Sequence, residues 1–179
     1  MVHEEKNCRG KQMNVSYSIF REVQRFRQWW VWLLLLFVTG MAWYGAVQQI
    51  VLKKPFGSHP APDVIMIMIW AIFEVLFPLF FYSLRLVTEI RYDGLHIRFF
   101  PLQFHDHKIS LGEIKKYEIR TYSALKEYGG YGIRYGKNGK AYNVSGSRGV
   151  QLEFQDGKHL LIGSQRPEEF ASALASVIR

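Results

Sequence analysis

A single cysteine, Cys8, stands in the 179-residue chain. No intramolecular disulfide can form, in keeping with a reducing, cytoplasmic setting for the N-terminal segment. Phosphate-binding signatures are missing as well. A P-loop requires GxxxxGK[ST], but Gly136-Lys137 is followed by Asn138, and Tyr131 occupies the place of the leading glycine. A dinucleotide-type GxGxxG fails because Tyr135 stands where a third glycine belongs after Gly130 and Gly132. Gly146 to Gly149 spells the GxxG of a KH clamp, without the flanking helices that clamp needs. No nucleic acid partner is expected. The chain also lacks a GxSxG elbow, an HExxH motif and a close pair of acidic residues with an evident cleft, so no catalytic set emerges. FHDHK at 104–108 places two histidines in alternation, with no cysteine pair to support a metal. The expectation is a non-enzymatic protein with neither cofactor nor metal.

Charge is scarce in two stretches and abundant elsewhere. Mean hydropathy is −0.06, an average of very unlike regions. Residues 29–52 hold no charged side chain, and residues 62–87 hold only Asp63, Glu74 and Arg85. A bilayer core about 30 Å thick takes roughly 20 helical residues, so both runs predict membrane-spanning helices. Their length argues against core helices. A cleaved signal peptide is also disfavoured, because 28 residues precede the first run and it exceeds the usual ~7–15 apolar residues. Pro55, Gly57, Pro60 and Pro62 break the helix around a loop at 53–61 and force an antiparallel hairpin. Lys6, Arg9, Lys11, Arg21, Arg25 and Arg27 precede the hairpin, and Arg85, Arg91 and Arg98 follow it, whereas the loop has only Lys53 and Lys54. That bias predicts a multi-pass protein of the plasma membrane with both termini cytoplasmic.

Within the hairpin, Gly40, Ala42, Gly45 and Ala46 would allow close helix packing or self-association. Glu74 is anomalous, since a carboxylate at mid-membrane costs about 2.5–3.5 kcal/mol. Pro78 removes the hydrogen bond that the Glu74 carbonyl would accept. Thr39, Trp43 and Tyr44 are its expected neighbours, and a bond to a neighbouring helix is favoured over a proton path. Ahead of the hairpin, Ile19, Val23, Phe26 and Trp30 recur at helical spacing among arginines. This predicts an amphipathic basic collar on the inner leaflet within residues 1–28.

Residues 88–179 change period. TEIRY, LHIRFF, KKYEIRTY, YGIRY, KAYNV, GVQLEF and KHLLIG read as about seven strands, with Asp93-Gly94, Asn138-Gly139 and Asp156-Gly157 as turns. SQRPEEFASALASVIR then reads as a helix, with Ser164 as N-cap, Pro167 in the first turn, and a stripe of Phe170, Leu174 and Ile178. Strands followed by one helix give a PH-like order, a β-barrel or sandwich behind a transmembrane hairpin, in an α+β membrane protein.

The collar FREVQRFRQWW, the hairpin, and then YGIRY, NVSGSRGVQLEF and LLIGSQRPEEF resemble a family of uncharacterised bacterial membrane proteins with a bacterial PH-like domain. The resemblance covers about residues 17–179 and is most specific over 131–170. It implies a fold, a membrane location and an interaction role, and carries over no reaction and no binding residues. Eukaryotic PH domains often bind phosphoinositides through basic residues at the turn between strands 1 and 2, but here that turn is the acidic Asp93-Gly94. Seven glycines between 129 and 149 are interleaved with Arg134, Lys137, Lys140 and Arg148. With Lys115 and Lys116, these basic residues are the candidate surface for lipid or a partner. The resulting expectation is a membrane-anchored scaffolding or interaction protein, partnered by the bilayer and by other membrane proteins or itself. An anionic-lipid sensor is the alternative, and a membrane enzyme or transport accessory using Glu74 is a weaker one.

Overall fold

The computed structural model describes residues 18–26, 28–54, 62–136 and 138–178. Among these residues nine strands form two sheets. One holds β1 (Ser18–Arg25), β2 (Arg85–Arg91), β3 (Gly94–Phe100) and β4 (His107–Ile109) in that order. The other runs β5 (Ile114–Thr121), β8 (Arg148–Phe154), β9 (His159–Gly163), β7 (Gly139–Asn143), β6 (Gly132–Gly136). Among the described residues the sheets do not join into a closed barrel, and the seven strands expected from residue 88 onward are joined by β4 and, from ahead of the helices, by β1.

Two apolar helices leave and re-enter the first sheet. Helix α1 (Trp29–Val51) follows β1, and α2 (Asp63–Ser83) leads into β2; each is long and apolar enough to cross a membrane. The inserted pair separates two strands that hydrogen-bond directly, with Arg25 opposite Arg85. It is antiparallel, since Trp43 meets Trp70 edge-on with ring centres 5.3 Å apart, and Gln49 Nε2 donates to Asp63 Oδ1 at 2.9 Å. Each helix contains one wide π-type turn, at Val47–Val51 and Ile72–Leu76. The second lies just ahead of Pro78, whose missing N–H leaves a carbonyl unsatisfied in the preceding turn. Pro55, Gly57 and Pro60 of the expected turn lie outside the described residues.

Ser18–Arg25 is a strand and not the helical collar read from Ile19, Val23, Phe26 and Trp30. Phe20, Glu22 and Gln24 face the core while Arg21, Val23 and Arg25 face out. The alternation is strict, but two of the three inward residues are polar, so it does not look like a buried strand. Their partners lie some 140 positions away. Glu22 accepts from Ser164 Oγ at 2.6 Å and from the Gln165 N–H at 2.7 Å, and Gln24 Nε2 donates to the Gly163 carbonyl at 2.6 Å. Pairing with β2 and burial of these bonds override the helical spacing. The second apolar run likewise ends sooner than residue 87, because Leu86 and Val87 turn into the sheet and are buried.

Leu86, Ile90, Leu95, Ile97 and Phe99 of the first sheet pack on Tyr142, Val150, Leu152, Leu160 and Ile162 of the second. Helix α3 (Ala124–Tyr128) lies beside β6, and α4 (Pro167–Val177) closes one side of the sandwich. In α4, Phe170 and Leu174 are buried, and Phe170 stacks on Phe20 with ring centres 5.2 Å apart. Ser164 is not its cap, since Arg166 holds that position. Ser164 accepts instead from the Arg166 N–H at 3.0 Å while donating to Glu22. The glycines serve close approach. A side chain at Gly149 would overlap the Ile162 carbonyl of β9, and one at Gly139, where φ is +93°, would overlap that of His159.

Candidate functional site

Because α4 closes only one side of the sandwich, the opposite corner stays open. There β4 pairs with β3 through just three residues, Ile97 to His107, His96 to Lys108 and Leu95 to Ile109. A cleft of about 530 Å³ lies between β4, β7, β9 and the β8–β9 turn. Ile109, Phe154 and Leu160 are apolar residues of its lining, and His107, Lys140, His159 and Glu113 are polar ones. Strand register fixes Lys140 opposite Leu160 and His159 opposite Glu153.

Most charges at this end are already balanced. Lys108 Nζ contacts Asp93 at 2.8 Å, Lys158 contacts Asp156 at 2.6 Å, and Lys115 contacts Glu153 at 2.6 Å. The Lys108 and His96 contacts hold the Asp93 carboxyl at about 2. Lys140 differs: among the described residues it has no carboxylate within ion-pair distance, and its ammonium lies 4.6 Å from the Tyr142 ring centre and 5.7 Å from that of Tyr135. Burial, then the nearby Lys140 charge, push the His107 imidazole below its usual range. At neutral pH His107 therefore offers one N–H donor and one acceptor, and Lys140 supplies the unbalanced positive charge. A carboxylate of an incoming segment fits this arrangement, with apolar neighbours on Ile109 and Leu160. No three of His, Cys, Asp and Glu gather at metal-binding geometry among the described residues.

The basic residues singled out in the sequence do not form one surface. Lys115 and Lys116 begin β5 and are bound to Glu153 and Glu118, the latter at 3.1 Å. Arg134 donates to the Tyr131 carbonyl at 3.0 Å. Arg148 pairs with Glu168 at the other end of β8 from Phe154. Lys140 alone of the set reaches the cleft, and Lys137 lies outside the described residues. The β6–β7 hairpin pairs Gly136 with Gly139, so its turn closes one residue earlier than an Asn138-Gly139 centre. In the sequence His105 and His107 stand only as metal-ligand candidates without a supporting cysteine pair. The alternation of His105, His107 and Ile109 was the available strand signal.

In the helices, Gly45 is buried, Ala42 and Ala46 are half-buried, and Gly40 faces open space. Glu74 does not bond Thr39, Trp43 or Tyr44. Its Oε1 is buried without a hydrogen-bond partner among the described residues, and Glu74 lines a shallow groove with Trp32, Pro78 and Tyr82.

These features define a class: a mixed α/β chain whose two-sheet domain carries a pair of apolar helices inserted between two adjacent strands. The chain belongs to a family of unknown function, DUF6141, whose model matches residues 13–179. No curated protein and no solved structure matches it.

Proposed function

We propose that this is a membrane-anchored, non-enzymatic interaction protein. In this reading α1 and α2 span the plasma membrane, both termini are cytoplasmic, and a PH-like domain at the cytoplasmic face docks an acidic segment of another membrane protein. The observation that carries the docking is Lys140, an ammonium at the open corner with no carboxylate partner among the described residues. The two-point attachment supports the anchoring. Arg25 and Arg85 are paired on adjacent strands, so both helices start from one end of the domain. The flanking arginines outnumber the lysines of the connecting loop, as expected for a cytoplasmic domain. Strands capped by a C-terminal helix on one side of a sandwich support the PH-like comparison.

A lipid sensor acting on the same membrane is less well supported. Lys115 and Lys140 lie at the end of the strands opposite the helices, and Arg148 is already paired. Photocrosslinking in native membranes, with the reactive side chain at Gln155 on the cleft rim, tests the docking. The expected result is an adduct with a membrane protein that falls at least tenfold in Lys140→Glu and persists in Lys158→Gln. An adduct indifferent to the charge at 140, or none, overturns the docking.

A further inference from the structure

We propose that the β3–β4 loop, Phe100 to Phe104, is a third membrane contact that lays Leu102 and Phe104 into the lipid headgroup layer. The inference rests on α1 and α2 spanning the bilayer. Strand register sets the level of the loop: Phe100 pairs with Arg85, two residues after α2 ends at Ser83. The Arg85 guanidinium lies 4.9 Å from the Phe100 ring centre, and Phe104 meets Phe100 edge-on at 5.6 Å. The Gln103 N–H donates to the Phe99 carbonyl at 2.6 Å, which folds the loop back on its strand. Leu102 and Phe104 are left 56% and 68% exposed.

Their neighbours suit the same layer. Trp29, Trp30 and Tyr82 are exposed where the helices begin and end, and such rings favour the membrane–water boundary. Exposed Arg25 and Arg85 stand at that level with cations for lipid phosphates. The opposite end of the domain gives the contrast. Its large exposed rings are Tyr92 and Tyr135, each with a hydroxyl that water can solvate, whereas Leu102 and Phe104 have no polar side-chain atom. Neighbouring exposed apolar side chains mark a contact surface when they form a patch, and a loop level with the ends of two spanning helices has lipid beside it. The loop, α1 and α2 then make three contacts that fix the tilt of the domain on the bilayer.

Site-specific quenching on the full chain tests this, in nanodiscs of phosphatidylcholine and phosphatidylglycerol with Cys8 replaced by serine. An environment-sensitive fluorophore is placed in turn at Leu36→Cys in α1, Leu102→Cys or Phe104→Cys in the loop, and Tyr92→Cys at the far end. Lipids carrying a nitroxide near the headgroup or deep in the chain serve as quenchers. The expected pattern is deep quenching at 36, shallow quenching at both 102 and 104, and none at 92. Quenching at 36 with 102 and 104 behaving like 92 overturns the loop contact and leaves the spanning helices in place. No quenching at 36 overturns the spanning helices and the loop contact together. A blue shift at 102 without nitroxide quenching means a protein surface covers the loop, which also overturns the lipid contact.

Discussion

The two ends of the nine-stranded domain are held together by different physics. At the end from which the helices emerge, buried polar groups bridge distant parts of the chain: Glu22 to Ser164 and Gln165, Gln24 to Gly163, and Gln28 Nε2 to the Val144 carbonyl at 2.8 Å. At the far end, pairs of solvated charges do the joining, Lys108 with Asp93, Lys158 with Asp156 and Lys115 with Glu153. A buried acceptor that loses its donors, or the reverse, forfeits desolvation that nothing replaces. An exposed ion pair gains little because water competes and side-chain entropy is lost. The sheltered bonds therefore lie at the end that carries the helices, and the solvated pairs at the end with the open corner.

The largest effect in this comparison is expected at Glu22. Glu22→Ala removes the acceptor for the Ser164 hydroxyl and the Gln165 N–H, and it leaves a gap beneath the start of α4. One buried hydroxyl and one part-buried N–H left without their acceptor put the loss at about 2–3 kcal/mol. Thermal unfolding of the full chain in detergent should show a clearly lowered Tm, with β1 amides exchanging faster than those of β8. A Tm within a degree of the unsubstituted protein would mean that β1 is not fastened through Glu22, and the contrast between the ends would collapse.

An intermediate effect is expected at His107. Its imidazole titrates lower in the folded protein than its ordinary value, because burial and Lys140 both disfavour the charged form. The unfolded chain thus binds this proton first. Stability contributed by the neutral ring is intact above pH 7 and is lost as pH falls through about 6.5 toward the lower folded value. A carboxylate docked beside Lys140, as proposed, would offset the repulsion, the smaller of the two causes, and raise the folded value. NMR titration of the His107 ring should show this upward movement when the cleft is filled. In Lys140→Met the free-state value should rise, because one of its two depressing influences is gone. No rise would place Lys140 too far from His107 for a shared site.

The apolar helices and most strands were legible in the sequence because each shows a local period. Leu95, Ile97 and Phe99 alternate, and Phe170 and Leu174 recur at helical spacing. The features that escaped are those whose cause is distant. Strand β1 hides because Glu22 and Gln24 are satisfied by Ser164 and Gly163, which no window around residue 22 contains. Strand β4 is three residues long and exists through its register with β3. Helix α3 is the exception, missed although its caps are local. Ser123 accepts from the Lys126 N–H at 3.4 Å, and Gly129 ends the turn with φ at +70°, as capping residues commonly do. At the cleft, Lys140 was singled out by its charge alone, whereas its pairing with His107 needed two sheets to be brought face to face.

The smallest effect is expected at the far-end turn, and it bounds the comparison from below. Asp93 lies half exposed between Lys108 and His96, at 2.8 and 3.2 Å, and its carboxyl is held at about 2. A carboxyl depressed in the folded state contributes stability above its unfolded value near 3.9, and that contribution fades as pH falls from about 4 through 2. Water screens this pair, so Asp93→Asn should cost under about 1 kcal/mol at neutral pH. The variant should also flatten the acid limb of the stability curve without altering the fold. Salt sharpens the distinction, because about 1 M ionic strength screens exposed pairs within a few ångströms while leaving buried bonds almost untouched. Added salt should therefore erase the Asp93→Asn deficit and leave the Glu22→Ala deficit standing. Equal sensitivity of the two would show that the far-end pairs are as sheltered from water as the bonds around Glu22.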